Sequence, residues 1–312
     1  MNQLLAWDVI EPSKSTTASP VVLVWQNNKW RFCMDFRQLN SITIGDAYSM
    51  LRSDYVFSTL AGSKYFTLLD ALKGDHQVEI EEADREKTAF VSYKGLYQFK
   101  RLPFGLKNAP AQFQRLMDKI IGGLRWQAAL VYIDDLLIYS TTWQDHLSHL
   151  ETIMKAAQDA GLVFSLEKCS FGFCDVKLLG HSLSRYGLHT LSEKVTSITS
   201  LAPPKTMGEL HRLLGMFGYY RAFIHQFAKI AWLLNDLKKS SGIGPKQENC
   251  RTNYNSKQPI QWSSECQVAF DELKHRMCNA PILAHPLFDR PFILYTDASA
   301  EAFAAVLCQF WE

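Results

Sequence analysis

The stretch AALVYIDDLLIYS, residues 128–140, carries the pattern that decides the fold. Two apolar runs rich in β-forming residues flank the acidic pair Asp134–Asp135, and this arrangement predicts a β-hairpin with the two acids at its tip. Neighbouring, partly buried carboxylates repel each other, and a cation that prefers oxygen ligands, such as Mg²⁺, would offset that cost. Taken alone, however, such a pair is more often an ordinary solvated acidic turn.

A second acidic residue ends another apolar strand. KYFTLLDALKG, residues 64–74, predicts a strand that ends at Asp70 and breaks at Gly74. If this strand lies beside the hairpin, Asp70 and Asp134 meet over one or two metal ions. Carboxylates arranged in this way can stabilise the attacking and leaving oxygens of a phosphoryl transfer.

The rest of the chain predicts mixed strands and helices up to about residue 180, followed by mainly helical structure. Thr206 and Glu209 form a capping-box pattern, which predicts a helix of about five turns that includes Ile224. Residues 240–259 are rich in Ser, Gly, Asn and Pro and predict a linker. Ser264 is expected to cap a last helix, and a new strand begins in residues 291–299.

Composition limits the class of protein. The 312 residues are 47% hydrophobic and 21% charged, a globular balance that suggests two domains. Lys plus Arg number 33 and Asp plus Glu 31, so the net charge of +2 excludes a uniformly basic surface but allows a local basic face. No run reaches the roughly 18 apolar residues of a membrane span. Seven widely spaced cysteines and no apparent signal peptide predict an intracellular protein of the cytoplasm or nucleus.

Beyond these patterns, the chain resembles the reverse transcriptases of Gypsy-class LTR retrotransposons, as a fragment of their Pol polyprotein. The similarity rests on a series of motifs in the family's order: IEPSKSTTASPVVLV, KWRFCMDFRQLN, KYFTLLD, LVYIDDLLIYS, LLGHSLSRYGL, ELHRLLGMFGYYRAFI and PFILYTDAS. It implies an α+β right-hand polymerase fold followed by the truncated start of a ribonuclease H-like domain. The implied regions are fingers and palm (1–184), a helical thumb (185–240), a linker (241–259) and a connection with the ribonuclease H-like part (260–312).

The resemblance also implies an activity, RNA-directed DNA polymerisation. Asp70, Asp134 and Asp135 match the catalytic carboxylates, and Asp70 and Asp134 would hold two Mg²⁺ ions, for which Mn²⁺ can substitute. The primer 3′-hydroxyl would attack the α-phosphate of a dNTP. Lys168, in LEKC, matches a lysine that would protonate the leaving pyrophosphate, although a solvated lysine is also compatible with this position.

Four further residues match positions that contact the incoming nucleotide. Arg31 would neutralise the triphosphate, unless it is simply an exposed arginine on a strand. Phe104 and Gly105 would lie beside the templating base pair. Asp75 takes the place of an aromatic residue that packs beneath the sugar, so the sequence predicts weak dNTP affinity and weak sugar selection. The fingers turn also carries Trp25 where the family has Lys or Arg.

A third group would contact the primer–template. Leu179, Gly180 and His181 match the primer-grip turn, although Leu179 could equally belong to the core. As part of a thumb, Arg212 and Arg221 would contact phosphates, although composition alone favours an ordinary solvated helix face. The expected partners are an RNA or DNA template with its primer and dNTPs, with no membrane involved; the oligomeric state stays open.

Asp297, in YTDAS, matches the first carboxylate of a ribonuclease H site. Because such a site needs several carboxylates, the sequence predicts that this chain alone does not cleave hybrids. Three alternatives to an active polymerase remain. One is an inactive remnant that only binds primer–template. The second is a protein that is classed as a ribonuclease H only through its truncated C-terminal domain, and the third is a metal-dependent nuclease that uses the same acids.

Overall fold

The computed structural model describes residues 1–26, 28–48, 53–132, 135–240, 256–300 and 302–310. The chain forms two compact units, Met1–Cys174 and Asp175–Glu312. No helix within the described ranges combines the length and apolar character needed to cross a bilayer.

The first unit contains nine strands and six helices among its described residues. Its strands are β1 (Ile10–Pro12), β2 (Val21–Gln26), β3 (Lys29–Met34), β4 (Tyr65–Asp70), β5 (Phe90–Ser92), β6 (Gly95–Phe99), β7 (Ala129–Tyr132), β8 (Asp135–Ser140) and β9 (Ser170–Phe173). Its helices are α1 (Asn2–Ala6), α2 (Arg37–Ile42), α3 (Ser53–Thr59), α4 (Glu82–Arg85), α5 (Ala109–Ile121) and α6 (Trp143–Asp159). Three sheets result, in the orders β1-β6-β5, β2-β3 and β7-β8-β4-β9.

The four-stranded sheet β7-β8-β4-β9 positions the candidate site. Some of its strands alternate buried and more exposed residues, and others are buried along most of their length. Leu69, Val131, Leu136 and Ile138 are buried in one cluster with residues of α5 and α6. Helix α5 begins after Asn108 with a proline in its first turn, where the missing N–H has no intrahelical partner to lose. Burial of this apolar surface fixes the register of β4 against β8, because a slip by one residue would turn every side chain to the opposite face.

Behind this sheet lies a buried polar network centred on His146. The ring is fully buried, and its Nε2 is hydrogen-bonded to the Thr67 hydroxyl at 2.8 Å while its Nδ1 is bonded to the Ser140 hydroxyl at 3.1 Å. Ser140 also bonds Nδ1 of His149 at 2.9 Å. Burial, assisted by the nearby His149, lowers the pKa of His146. A neutral ring satisfies both hydroxyls, since it donates from one nitrogen and accepts at the other.

We expect stability to fall in mild acid because of this histidine. Well above pH 6.5 His146 is neutral in both states, but as the pH falls through about 6.5 the unfolded chain binds a proton that the folded protein excludes. The free energy of unfolding should therefore decrease by up to about 1.4 kcal/mol per pH unit for each such group. Urea denaturation at pH 7.5, 6.5 and 5.5 measures it. H146Q should flatten the dependence and H225Q, at an exposed histidine, should not; equal slopes in both variants would contradict the assignment.

The second unit contains β10 (Asp175–Leu178), β11 (His181–Ser184), β12 (Gly187–Thr190), β13 (Ile293–Ala298) and β14 (Phe303–Cys308). Its described helices are α7 (Ser192–Thr199), α8 (Met207–Tyr219), α9 (Phe227–Ser240) and α10 (Ser264–Cys278). Strands β10, β11 and β12 form an antiparallel meander, and β13 pairs with β14. Helices α8, α9 and α10 bury the apolar residues Leu210, Phe217, Leu234, Phe270 and Leu273.

Two predicted helix boundaries in this unit were wrong. The single helix of about five turns is interrupted, since α8 ends at Tyr219 and a 3-10 turn, Arg221–Phe223, precedes Ile224. Gln226, with a left-handed φ of +56°, then separates this turn from α9, which begins at Phe227. The last helix is capped by Ser263, whose hydroxyl accepts from the Cys266 N–H, and not by Ser264.

Candidate active site

The β4–β8 register places two of the predicted acids opposite each other. Asp70, the last residue of β4, pairs with Asp135, the first residue of β8, and both are half-buried. Residues directly opposite in an antiparallel pair point to the same face with Cβ atoms roughly 4.5–5.5 Å apart. Asp135 also pairs with Tyr132 across the β7–β8 hairpin. Asp134 lies outside the described residues, so its approach to Asp70 stays a prediction.

Lys168 contacts the carboxylate of Asp70. Its Nζ donates to the two carboxylate oxygens at 3.0 and 3.2 Å. The lysine belongs to a 3-10 turn, Leu166–Lys168, and the Ser165 N–H just before it donates to the Asp70 carbonyl at 2.9 Å. Backbone and side chain together therefore fix a cation beside the end of β4, where it partly neutralises the acidic pair.

The donor set at this edge suits a hard divalent cation. Mg²⁺ prefers carboxylate oxygens and keeps several waters, so Asp70 with a neighbouring acid fits it by chemistry. No group of three His, Cys, Asp or Glu side chains placed for a metal occurs in the part of the chain that the structure describes. The expected third acid, Asp134, falls outside that part.

The turn that follows β4 carries Asp75 and is anchored by His76. Asp75 is half-buried in a 3-10 turn, Gly74–Gln77. Nδ1 of His76 is hydrogen-bonded to the Leu102 carbonyl at 2.9 Å, and its ring packs edge-on against Phe104 with centroids 4.8 Å apart. Burial lowers the pKa of His76. This uncharged ring therefore links the Asp75 turn to the Phe104 turn, a role that sequence reasoning missed.

Two amide side chains hold the surrounding loops in place. Asn40 donates to the Gly105 carbonyl and accepts from the Lys107 N–H, both at 2.8 Å. Gly105 has a φ of +96°, a conformation that other residues rarely adopt, and Phe104 beside it is half exposed. Gln77 bonds both the N–H and the carbonyl of Val163, at 2.8 and 2.9 Å. Sequence reasoning missed the role of Asn40, although this residue lies in the motif KWRFCMDFRQLN, which could have indicated it.

Arg31 lies on the exposed face of the β2–β3 hairpin, opposite Val24. Among the described residues it has no ion-pair partner. At the next register position Trp25 and Trp30 face each other, with ring centroids 5.1 Å apart. The structure thus presents one arginine and an aromatic pair at this hairpin, with Trp25 at the position of the expected cation.

The remaining predicted residues lie in the second unit. Leu179 and Gly180 form the turn between β10 and β11, and His181 is the first residue of β11. Arg212 is exposed on α8, and Arg221 is exposed in the 3-10 turn that follows this helix. Asp297 is exposed on β13, opposite Ala304.

Comparisons with known proteins extend over nearly the whole chain. Residues 14–183 match the family model "Reverse transcriptase (RNA-dependent DNA polymerase)", and residues 262–312 match "RNase H-like domain found in reverse transcriptase". The chain is 38% identical over 315 residues to the retrovirus-related Pol polyprotein from transposon opus of Drosophila melanogaster, covering 99% of this chain and 31% of that protein. For the Pol polyprotein from transposon gypsy of the same species, the identity is 36% over 317 residues, with 99% and 30% covered.

A solved structure of the foamy viral protease-reverse transcriptase dRH in complex with ds DNA is also similar. Its TM-score is 0.84 at 25% identity, covering 97% of this chain and 51% of that one. The present chain spans about a third of the length of the two Drosophila relatives.

Proposed function

We propose that this chain, which belongs to the reverse transcriptase (RNA-dependent DNA polymerase) family, adds deoxynucleotides to a primer as the polymerase part of a retrotransposon Pol polyprotein. The observation that carries the proposal is the register pairing of Asp70 with Asp135, with Lys168 on the Asp70 carboxylate. An acidic pair at one end of the β4–β8 strand pair, with the Lys168 ammonium beside it, suits phosphoryl transfer.

The predicted resemblance to Gypsy-class elements and the predicted polymerase fold, followed by the start of a ribonuclease H-like domain, are both confirmed by the matches to Pol polyproteins and to a viral reverse transcriptase.

Members of this family generally use divalent metal ions. Asp70 and Asp134 would hold two Mg²⁺ ions here, which would supply charge stabilisation for the attacking 3′-hydroxyl and the leaving pyrophosphate. Asp135 would add negative potential beside them and help to fix their position. Mn²⁺, with similar oxygen ligands, would serve in the same place.

The other residues would act on the nucleotide and the nucleic acid. Arg31, which has no ion-pair partner among the described residues, would bind the triphosphate through its planar fork. Phe104, positioned by Gly105 and His76, would pack beside the templating base pair. Lys168 would leave Asp70 and donate its Nζ proton to the departing pyrophosphate.

The foamy viral neighbour is bound to ds DNA, and a primer–template is the corresponding partner proposed for this chain. Leu179, Gly180 and His181 would contact the primer, while Arg212 and Arg221 would contact phosphates. Hybrid cleavage needs several carboxylates, and the resemblance identifies only Asp297 in this chain, so we do not expect this chain alone to cleave hybrids.

A second candidate function is primer–template binding without synthesis. Two features of this chain favour it. A half-buried carboxylate, Asp75, stands where the resemblance implies an aromatic residue beneath the sugar, and Trp25 stands where it implies a cation of the fingers. Both changes weaken binding of a triphosphate and leave the nucleic-acid contacts unchanged.

Extension of a DNA primer on an RNA template with Mg²⁺ and dNTPs tests the proposal. Extension by the wild-type chain that is lost in D134N supports polymerisation. Primer–template binding without extension supports the second candidate. Loss of strand in the absence of dNTPs identifies a nuclease, and no binding at all rejects the polymerase and the binding remnant together.

Lys168 should affect both catalysis and metal binding. In K168M the proton donor is lost, and single-nucleotide incorporation should slow by about 10²-fold. The same change removes a cation from Asp70, so Mn²⁺ should bind more tightly, as measured by electron paramagnetic resonance without substrates. K155M, at an exposed lysine of α6, is the matched control. Unchanged incorporation and unchanged Mn²⁺ affinity in K168M would contradict both roles.

A further inference from the structure

The turn between β10 and β11 has an unusual backbone. Leu178 and His181 form the last pair of the ladder, so the turn consists of Leu179 and Gly180. Their φ angles are +49° and +76°, the two left-handed residues of a tight hairpin turn. Leu179 adopts this conformation at a steric cost that a glycine would not have. Contacts with the rest of this unit must therefore stabilise it.

Those contacts come from two consecutive tyrosines at the end of α8. The Tyr219 hydroxyl donates to the Leu179 carbonyl, and the Tyr220 hydroxyl donates to the Gly180 carbonyl at 3.0 Å. Nδ1 of His181 is also hydrogen-bonded to the Leu179 carbonyl, at 3.0 Å. Both carbonyls of the turn are therefore hydrogen-bonded to side chains, and the Leu179 oxygen receives two such bonds.

Aromatic rings pack closely around this arrangement. His181 is buried, and its centroid lies 5.2 Å from Tyr219, 5.3 Å from Tyr220 and 5.5 Å from Phe223. Tyr220 is buried, whereas Tyr219 is half exposed. Because α8 ends at Tyr219 and the chain turns at once, the two hydroxyls can reach neighbouring carbonyls of one turn. A continuous helix would have directed consecutive side chains about 100° apart.

We propose that Tyr219 and Tyr220 are positioning residues that orient the Leu179–Gly180 turn toward the phosphates of a primer strand. The inference rests on the proposed function, in which this turn contacts the primer. In a trans peptide the C=O and the following N–H point in opposite directions, so drawing the Leu179 carbonyl to Tyr219 turns the Gly180 N–H to the other side. Carbonyl oxygens repel phosphates and N–H groups bind them, so this orientation favours an anionic strand.

Removing each hydroxyl while keeping its ring tests the proposal. In Y219F and Y220F the dissociation constant of a primer–template duplex should rise by about 3- to 10-fold each, and in the double variant by about 10- to 100-fold. The incorporation rate at saturating primer–template should stay within about twofold of wild type. Y186F, at an exposed tyrosine of the neighbouring β11–β12 turn, should leave affinity unchanged.

The outcomes separate this inference from the proposed function. Wild-type protein that neither binds nor extends a primer rejects the proposed function itself. Wild-type protein that does both, together with a double variant of unchanged affinity, overturns the positioning role alone. A double variant that melts at a lower temperature but binds normally assigns the hydroxyls to stability and also overturns it. Weaker binding with a retained incorporation rate supports it.

Discussion

Replacement of Asp70 by asparagine is expected to reduce primer extension by about a thousandfold. The substitution keeps the size and shape of the side chain at the end of β4 but removes the charge that faces Asp135 across the strand pair. A neutral amide binds Mg²⁺ far more weakly than a carboxylate, and Lys168 loses its ion-pair partner. Loss of one preorganised electrostatic contact at a reacting centre commonly costs 10²- to 10³-fold, and a metal ligand lies at the upper end.

The loss should not be due to unfolding. Lys168 is largely exposed, and exposed ion pairs contribute little to stability, so D70N should melt close to the wild-type temperature. D159N, which removes an exposed acid at the end of α6, is the matched control and should extend primers normally. Steady-state extension and a thermal melt of all three proteins make the comparison. Near-normal extension by a folded D70N would show that the chemistry does not depend on this carboxylate.

Local features of this fold could be predicted from the sequence because alternation and turn residues are local properties. The β7–β8 hairpin, the strand ending at Asp70 and the start of α5 after Asn108 follow from patterns of a few residues. The contact between β4 and β8 is different. It joins residues that are 65 to 75 positions apart along the chain. The sequence could therefore state only what would follow if the two strands were neighbours.

Side chains that hold a backbone segment from a distance were missed for the same reason. His76 and Tyr220 bond carbonyls that lie 26 and 40 residues away along the chain. From its neighbours in the sequence, His76 would be interpreted as a turn residue and Tyr220 as part of a helix. No periodicity in the sequence indicates which distant carbonyl either side chain bonds. The end of α8 at Tyr219 was missed for a similar reason. The helical spacing of apolar residues continues through Ile224, whereas the helical backbone ends at Tyr219.

Replacement of Asp75 by tyrosine is expected to raise dNTP use, with an increase in sugar selection of about 10- to 100-fold. Asp75 lies in the turn that leaves β4 five residues after Asp70, and His76 holds this turn against Phe104. A carboxylate there repels an incoming triphosphate by roughly 1 kcal/mol at partly screened distances, about a fivefold loss of affinity. A tyrosine ring would remove that charge and add a surface that packs under deoxyribose and clashes with a 2′-hydroxyl.

A third variant separates the two effects. D75N removes the charge without adding a ring, so it should recover dNTP affinity and leave the preference for dNTP over rNTP unchanged. D75Y should raise both the dNTP affinity and the preference for dNTP over rNTP. D271Y, on an exposed face of α10, should change neither quantity. Single-nucleotide incorporation with dNTP and rNTP in parallel gives affinity and preference for each protein. If D75Y gains nothing over wild type while wild type extends primers efficiently, Asp75 does not face the nucleotide, and the turn must present another side chain to the sugar.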